Sequence, residues 1–207
     1  GNTKFDNLDS NKHILEKFNL PKFDQSLNEN KYCVILYPKI RDNFKEEDML
    51  NIYQYLRLLG YKIIVKTRPK DKKIPESLIG DYLVCSEIYN PDSLELMKIS
   101  SLCIISSSSA NEETIFSKIP CVDLISDLRP WERNQYLLDN KVCVRIENNI
   151  WKKITFSDFS EIINNLENKN SSYFDLLIEK YLFTHKNSSE KIFDFLLKEN
   201  TFNNVYV

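Results

Sequence analysis

Glycine is scarce in this chain, at three residues in 207. There is no Gly-x-Gly-x-x-Gly fingerprint, no Walker A loop and no Gly-x-Ser-x-Gly nucleophile elbow, each of which needs glycine for close backbone approach or a strained turn. Hydride transfer on a nicotinamide and phosphate-loop hydrolysis are therefore set aside. Histidine is equally thin: His13 and His185 each stand alone in polar helical contexts, without triad partners, and read as surface residues. No apolar run approaches the ~20 residues that span a bilayer, and Gly1 to Asp6 carries no signal-peptide core, so a cytoplasmic location is expected. The five cysteines, Cys33, Cys85, Cys103, Cys121 and Cys143, form no Cys-x-x-Cys pair and have no histidine cluster beside them. They read as reduced, buried small hydrophobes, with no metal site expected. A formal net charge of -2 provides no global basic field, which argues against nucleic acid as a partner.

The chain is 42% hydrophobic and 28% charged, the balance of an ordinary globular protein, and its length suits one substantial core. Six short apolar or β-branched runs read as strands: Tyr32–Tyr37, Lys62–Thr67, Tyr82–Cys85, Leu102–Ile105, Cys121–Ile125 and Val142–Ile146. Their near-continuous apolarity predicts burial on both faces of a sheet. Between them lie helical patterns over Glu46–Leu59, closed by Gly60, and over Pro91–Ile99, Asn111–Ser117 and Trp131–Asp139. Strand and helix in alternation mean βαβ units, and hence an α/β, Rossmann-like, doubly wound parallel sheet of about six strands. Beyond Ile146 the pattern becomes purely helical, over Asp158–Leu166, Tyr173–Phe183 and Ser189–Lys198. The expected organisation is a linker and helix over 1–30, a nucleotide-binding unit over 31–147, and C-terminal helices over 148–207 that pack on it.

The stretch Leu102 to Pro120 is where chemistry is expected: a buried strand runs into Ser106, Ser107, Ser108 and Ser109 and then into a helix. A helix start offers unpaired N–H groups, and the serine hydroxyls can donate to the same phosphate oxygens, so a diphosphate could be held without a metal. Glu112 and Glu113 follow, either of them able to accept from ribose hydroxyls. Serine near a cap with glutamate in the first turn is also ordinary helix-start chemistry, and spacing alone leaves both readings open. At the end of the second strand, Lys66-Thr-Arg-Pro-Lys-Asp71 places Arg68 and Lys70 on the edge where open α/β sheets bind ligands. A solvated basic loop is the other reading of that segment. After the fifth strand come Arg129, Trp131 and Glu132, with Trp131 read as packing rather than as a base-stacking contact.

The run Ser107-Ser-Ser-Ala-Asn-Glu-Glu-Thr-Ile-Phe-Ser-Lys-Ile-Pro120 resembles the signature of UDP-N-acetylglucosamine 2-epimerases, Ser-Gly-Gly-x-Gln-Glu-Glu followed downstream by Lys-Pro, and the matching donor loop of GT-B glycosyltransferases. Gly1-Asn-Thr-Lys-Phe-Asp6 resembles the segment joining the two halves of bacterial surface-carbohydrate transferases of that fold. Arg129-Pro-Trp-Glu-Arg133 resembles the epimerases' Glu-Arg-Pro-Glu element, with Trp131 as an insertion before Glu132. The departures are serine at both glycine positions, Ile119 in place of the lysine before Pro120, and Arg68 where the epimerases carry histidine.

The resemblance implies a C-terminal, donor-binding GT-B half. It implies diphosphate contacts from Ser107, Ser108 and Ser109, a ribose contact from Glu113, and phosphate charge from Arg68 and Arg129. The implied activity is glycosyl or glycerophosphoryl transfer in bacterial surface polysaccharide synthesis. A nucleotide-sugar would be the donor, a saccharide or lipid-linked molecule the acceptor, and an N-terminal GT-B domain the partner, with no cofactor or metal required. The activating base is expected in that other domain, leaving Glu112 as the candidate to test here; any association with the inner membrane would come from the rest of the protein. An epimerase and a non-catalytic nucleotide-sugar sensor or partner subunit are the alternatives.

Overall fold

In the computed structural model the described residues are 11–21, 31–38, 44–68, 74–85, 92–106, 108, 110–125, 142–168 and 171–179. The apolar runs form six strands: β1 (Lys31–Leu36), β2 (Tyr61–Thr67), β3 (Tyr82–Cys85), β4 (Leu102–Ile105), β5 (Cys121–Leu124) and β6 (Cys143–Ile146). They make one sheet in the order β3-β2-β1-β4-β5-β6, and every neighbouring pair is parallel. This is the order of the dinucleotide-binding Rossmann folds, in which the chain reverses direction across the sheet between β1 and β4.

Helices cover both faces: α1 (Asn11–Lys17), α2 (Glu46–Leu58), α3 (Asp92–Lys98), α4 (Asn111–Phe116), α5 (Asn148–Trp151), α6 (Phe156–Glu167) and α7 (Ser171–Leu177), with a 3-10 turn at Glu76–Leu78. Because side chains alternate along a strand, each strand feeds two cores. Val34, Ile64, Cys103, Ile105 and Cys121 pack with Leu96, Ile115 and Phe174 on one face. Cys33, Ile63, Val65, Ile104 and Val122 pack with Ile52, Leu56, Phe159 and Ile163 on the other. The C-terminal helices thus divide between the faces, α6 in the second core and α7 in the first.

Local chemistry sets the element ends. In α2 the buried residues Met49, Ile52, Tyr53 and Leu56 fall at one-face spacing, and Gly60 beyond its end takes φ +83°, a left-handed conformation that glycine adopts freely. Helix α6 begins two residues before the expected start, since Thr155 Oγ1 accepts from the Asp158 N–H at 3.2 Å and donates to the Asp158 carboxylate at 2.7 Å. Gly80 has φ +76° and stands so close to β2 that a Cβ would lie 2.9 Å from the Ile63 carbonyl oxygen.

Two expectations change. Cys85 is exposed, unlike the four other cysteines, because it ends the edge strand β3, where Leu83 is also exposed. For the same reason β3 is not buried on both faces, in contrast to β4 and β5. The expected helices over 131–139 and 189–198, and the 1–10 segment, lie outside the described residues.

Candidate functional site

All six strands point the same way, so Thr67, Ile105 and Ile125 lie at or just beyond strand ends on one edge of the sheet. The switch between β1 and β4 lies there, the place where open α/β sheets bind their ligands. Arg68 follows Thr67 there, half-buried. Beside it Lys66 is buried, and its ammonium donates to the Thr67 carbonyl at 2.7 Å. Lysine is rarely buried this far, and sequence reasoning passed it over because the strand pattern around it is apolar.

The crossover from β4 to α4 holds the strongest chemical signal. Ser106 is 6% exposed and Asn111 is 1% exposed, and neither Ser106 Oγ nor Asn111 Oδ1 has a hydrogen-bond partner. Buried polar atoms are satisfied in the large majority of cases, so two orphans within six residues need an explanation. Ser108 Oγ accepts from the Ala110 N–H at 3.3 Å. That bond fits the helix-start reading of the loop, while the orphaned oxygens fit a ligand site. Ala110, the residue before α4, is itself in αR conformation and offers no side-chain cap of its own.

Glu112 and Glu113 both lie half-buried in the first turn of α4. Glu113 reaches across to α3, where Ser93 Oγ donates to its Oε2 at 3.2 Å. Burial pushes the Cys103 thiol above its ordinary value, the hydrogen bond with Cys121 works against that, and the Glu113 charge adds to the rise. Helix α3 is in turn clamped by α1: Lys17 Nζ donates to Asp92 Oδ1 at 2.9 Å and to Glu95 Oε2 at 2.5 Å. Burial lowers the Lys17 pKa, but the two carboxylates outweigh it and hold the ammonium above its ordinary value.

On β5 and β6 a second polar pair was missed. Asp123, 1% exposed, accepts from Arg145 at 3.3 Å on the same face of the sheet as α4. A charged residue in each of two apolar runs was the available signal, and single-strand patterning gave no means of pairing them. Lys70, Ser107, Ser109, Arg129, Trp131 and Glu132 lie outside the described residues. The structure therefore brings Ser106, Ser108, Glu112 and Glu113 into one segment, with Arg68 on the same sheet edge two strands away.

An open groove of about 490 Å³ lies at the opposite edge, where Lys31, Ser101, Lys118 and Pro120 mark the strand starts. Its cations already face carboxylates, Lys31 to Glu167 at 2.9 Å and Lys118 to Asp175 at 2.6 Å. Topology and the orphaned polar atoms both favour the C-terminal edge as the ligand site. Among the described residues no group of three His, Cys, Asp or Glu could hold a metal ion, and no helix is long and apolar enough to cross a membrane.

Sheet order, parallel pairing and helices on both faces define a Rossmann-like α/β unit of the kind found in GT-B enzymes. Solved structures share this fold. The chain is similar to a glycosyl transferase family 9 protein from Veillonella parvula (TM-score 0.57, 12% identity, 78% of this chain and 53% of that one). It is also similar to a spinosyn rhamnosyltransferase complexed with thymidine diphosphate (TM-score 0.56, 10% identity, 77% and 43%). A third is the Methanocaldococcus jannaschii UDP-GlcNAc 2-epimerase in complex with UDP-GlcNAc and UDP (TM-score 0.51, 16% identity, 89% and 54%). The chain spans about half the length of these proteins or less, and identities this low establish the fold alone. No protein-family model matches the sequence, and no curated protein matches it.

Proposed function

We propose that this chain is the nucleotide-sugar-binding half of a GT-B-type glycosyltransferase. The observation that carries the reading is the pair of buried, partnerless polar atoms, Ser106 Oγ and Asn111 Oδ1, where β4 passes into α4. Leaving a buried polar group unpaired costs about 1–3 kcal/mol; Ser106 Oγ can donate to a diphosphate oxygen, whereas Asn111 Oδ1 needs a donor such as a sugar hydroxyl, and a ligand that supplies these partners returns that energy on binding.

In this reading Ser106, Ser107, Ser108 and Ser109 donate to the diphosphate, and Arg68, Lys70 and Arg129 add charge-assisted contacts. Glu113 accepts from the ribose hydroxyls. As the bond to the sugar breaks, negative charge grows on the departing diphosphate, and donors already aimed at it lower the barrier. No metal is required for that step. The acceptor is a saccharide or lipid-linked molecule, the setting is bacterial surface polysaccharide synthesis in the cytoplasm, and a separate N-terminal GT-B half supplies the activating base. Glu112 is the residue of this chain to test for a part in turnover.

Calorimetry with ribonucleoside diphosphates and their 2′-deoxy counterparts tests the reading. Glu113→Gln keeps the shape and removes the charge, so it lowers affinity for the ribonucleotide more than for the deoxyribonucleotide. Arg68→Ala weakens both by about 1.5–3 kcal/mol, the scale of a hydrogen bond to a charged group. If no nucleotide binds, or if both variants bind as the wild type does, the assignment fails.

A further inference from the structure

The hydrogen bond between Ser93 and Glu113 joins two helices that pack side by side at the proposed ligand edge. Glu113 belongs to the first turn of α4 and Ser93 to the first turn of α3, and the hydroxyl donates to Oε2 at 3.2 Å. We propose that Ser93 is a positioning residue for ribose recognition: it sets the orientation of the Glu113 carboxylate, across the contact between α3 and α4, before a nucleotide arrives. This deepens the nucleotide-binding reading and rests on it.

The physical argument is one of pre-organisation. A glutamate side chain has three rotatable bonds, and a carboxylate that must accept from a vicinal diol binds well only if it is already oriented. Ser93 donates to one oxygen of the carboxylate, which narrows the orientations open to the group. The distance exceeds the usual O–H···O value of roughly 2.7–2.8 Å, so the bond restrains the carboxylate without holding it at its closest.

Ser93 is itself held from the other side. Its neighbours Asp92 and Glu95 both take the Lys17 ammonium, at 2.9 Å and 2.5 Å, and Glu95 is 4% exposed. The chain of contacts runs from Lys17 on α1 through the first turn of α3 to Glu113 on α4. It gives Ser93 a fixed place relative to the sheet.

The test is a double-mutant cycle on the full chain. Calorimetry is run with uridine, cytidine, adenosine and guanosine diphosphates, and the tightest of these and its 2′-deoxy form are carried through the variants. Ser93→Ala is expected to lower affinity for the ribonucleotide about three- to tenfold, the range of one modest hydrogen bond, and to lower that for the deoxyribonucleotide less. Ser93→Thr keeps the hydroxyl and restores the wild-type preference. Because Ser93 acts through Glu113, Ser93→Ala combined with Glu113→Gln matches Glu113→Gln alone. Thermal unfolding of each variant confirms that the fold is intact.

Equal losses for both ligands without rescue by threonine, or additive losses in the double variant, overturn the proposal. If Glu113→Gln alters ribose preference while Ser93→Ala does not, the Ser93 proposal falls and the nucleotide-binding reading stands. If Glu113→Gln leaves ribose preference unchanged, the ribose anchor falls and the Ser93 proposal with it.

Discussion

Ser106→Ala separates a binding site from a structural turn by the sign of its effect. The residue is 6% exposed, and its hydroxyl is buried with no partner. In the unliganded protein that hydroxyl carries a desolvation penalty of about 1–3 kcal/mol. Removing it leaves a void of roughly 10–15 Å³, which at ~24 cal/mol per Å³ costs only about 0.3 kcal/mol. The net expectation is a protein more stable by about 1–2 kcal/mol, with Tm raised by about 2–4 °C for each kcal/mol in a chain of this size. Nucleotide affinity should move the other way, falling by about 0.5–1.5 kcal/mol as one donor is lost. Urea unfolding monitored by circular dichroism gives the first quantity and calorimetry the second. A loss of 1 kcal/mol or more in stability would show that the hydroxyl is already bonded within the fold. Unchanged nucleotide binding would remove it from the site. A variant that gains stability while losing affinity fits a polar group held in reserve for a ligand.

The Asp123–Arg145 pair should behave as a buried ion pair. Arg145→Met leaves the carboxylate, 1% exposed, without its cation and should cost about 3–5 kcal/mol in urea unfolding, whereas Asp123→Val with Arg145→Met recovers most of the loss. Additive effects of the two substitutions would mean the pair is not coupled. Thiol labelling should divide the five cysteines: near pH 8 only Cys85 reacts in the folded protein, and all five react in denaturant. Burial holds the Cys33, Cys103 and Cys121 thiols above their ordinary value, and at Cys143 the hydrogen bond to Cys121 acts before burial in the same direction. The reactive thiolate is thus disfavoured at all four. Rapid labelling of more than one native thiol would contradict this packing.

The strands, the parallel sheet and the division of helices between two faces were legible in the sequence, since apolar runs of four to six residues alternating with helical periodicity admit few other arrangements. Gly60 could be placed for a similar reason: a glycine after the last buried residue of a helix is a local signal. The serine run and the paired glutamates marked a candidate ligand segment, although spacing could not separate a phosphate loop from a helix cap. In the fold the orphaned oxygens of Ser106 and Asn111 fit a ligand loop, and the Ser108 bond to the Ala110 N–H fits a helix cap. Only tertiary structure decided which residues meet. Ser93 and Glu113 are 20 positions apart, Asp123 and Arg145 are 22 apart, and Lys17 and Glu95 are 78 apart. Periodicity records which face a residue occupies, but partner choice depends on strand order and helix packing, and those arise from burial summed over the whole chain. Cys85 shows the same limit: its run is as apolar as its neighbours' runs, and the exposure of the thiol follows from β3 lying at the edge of the sheet, a position that no window of sequence encodes.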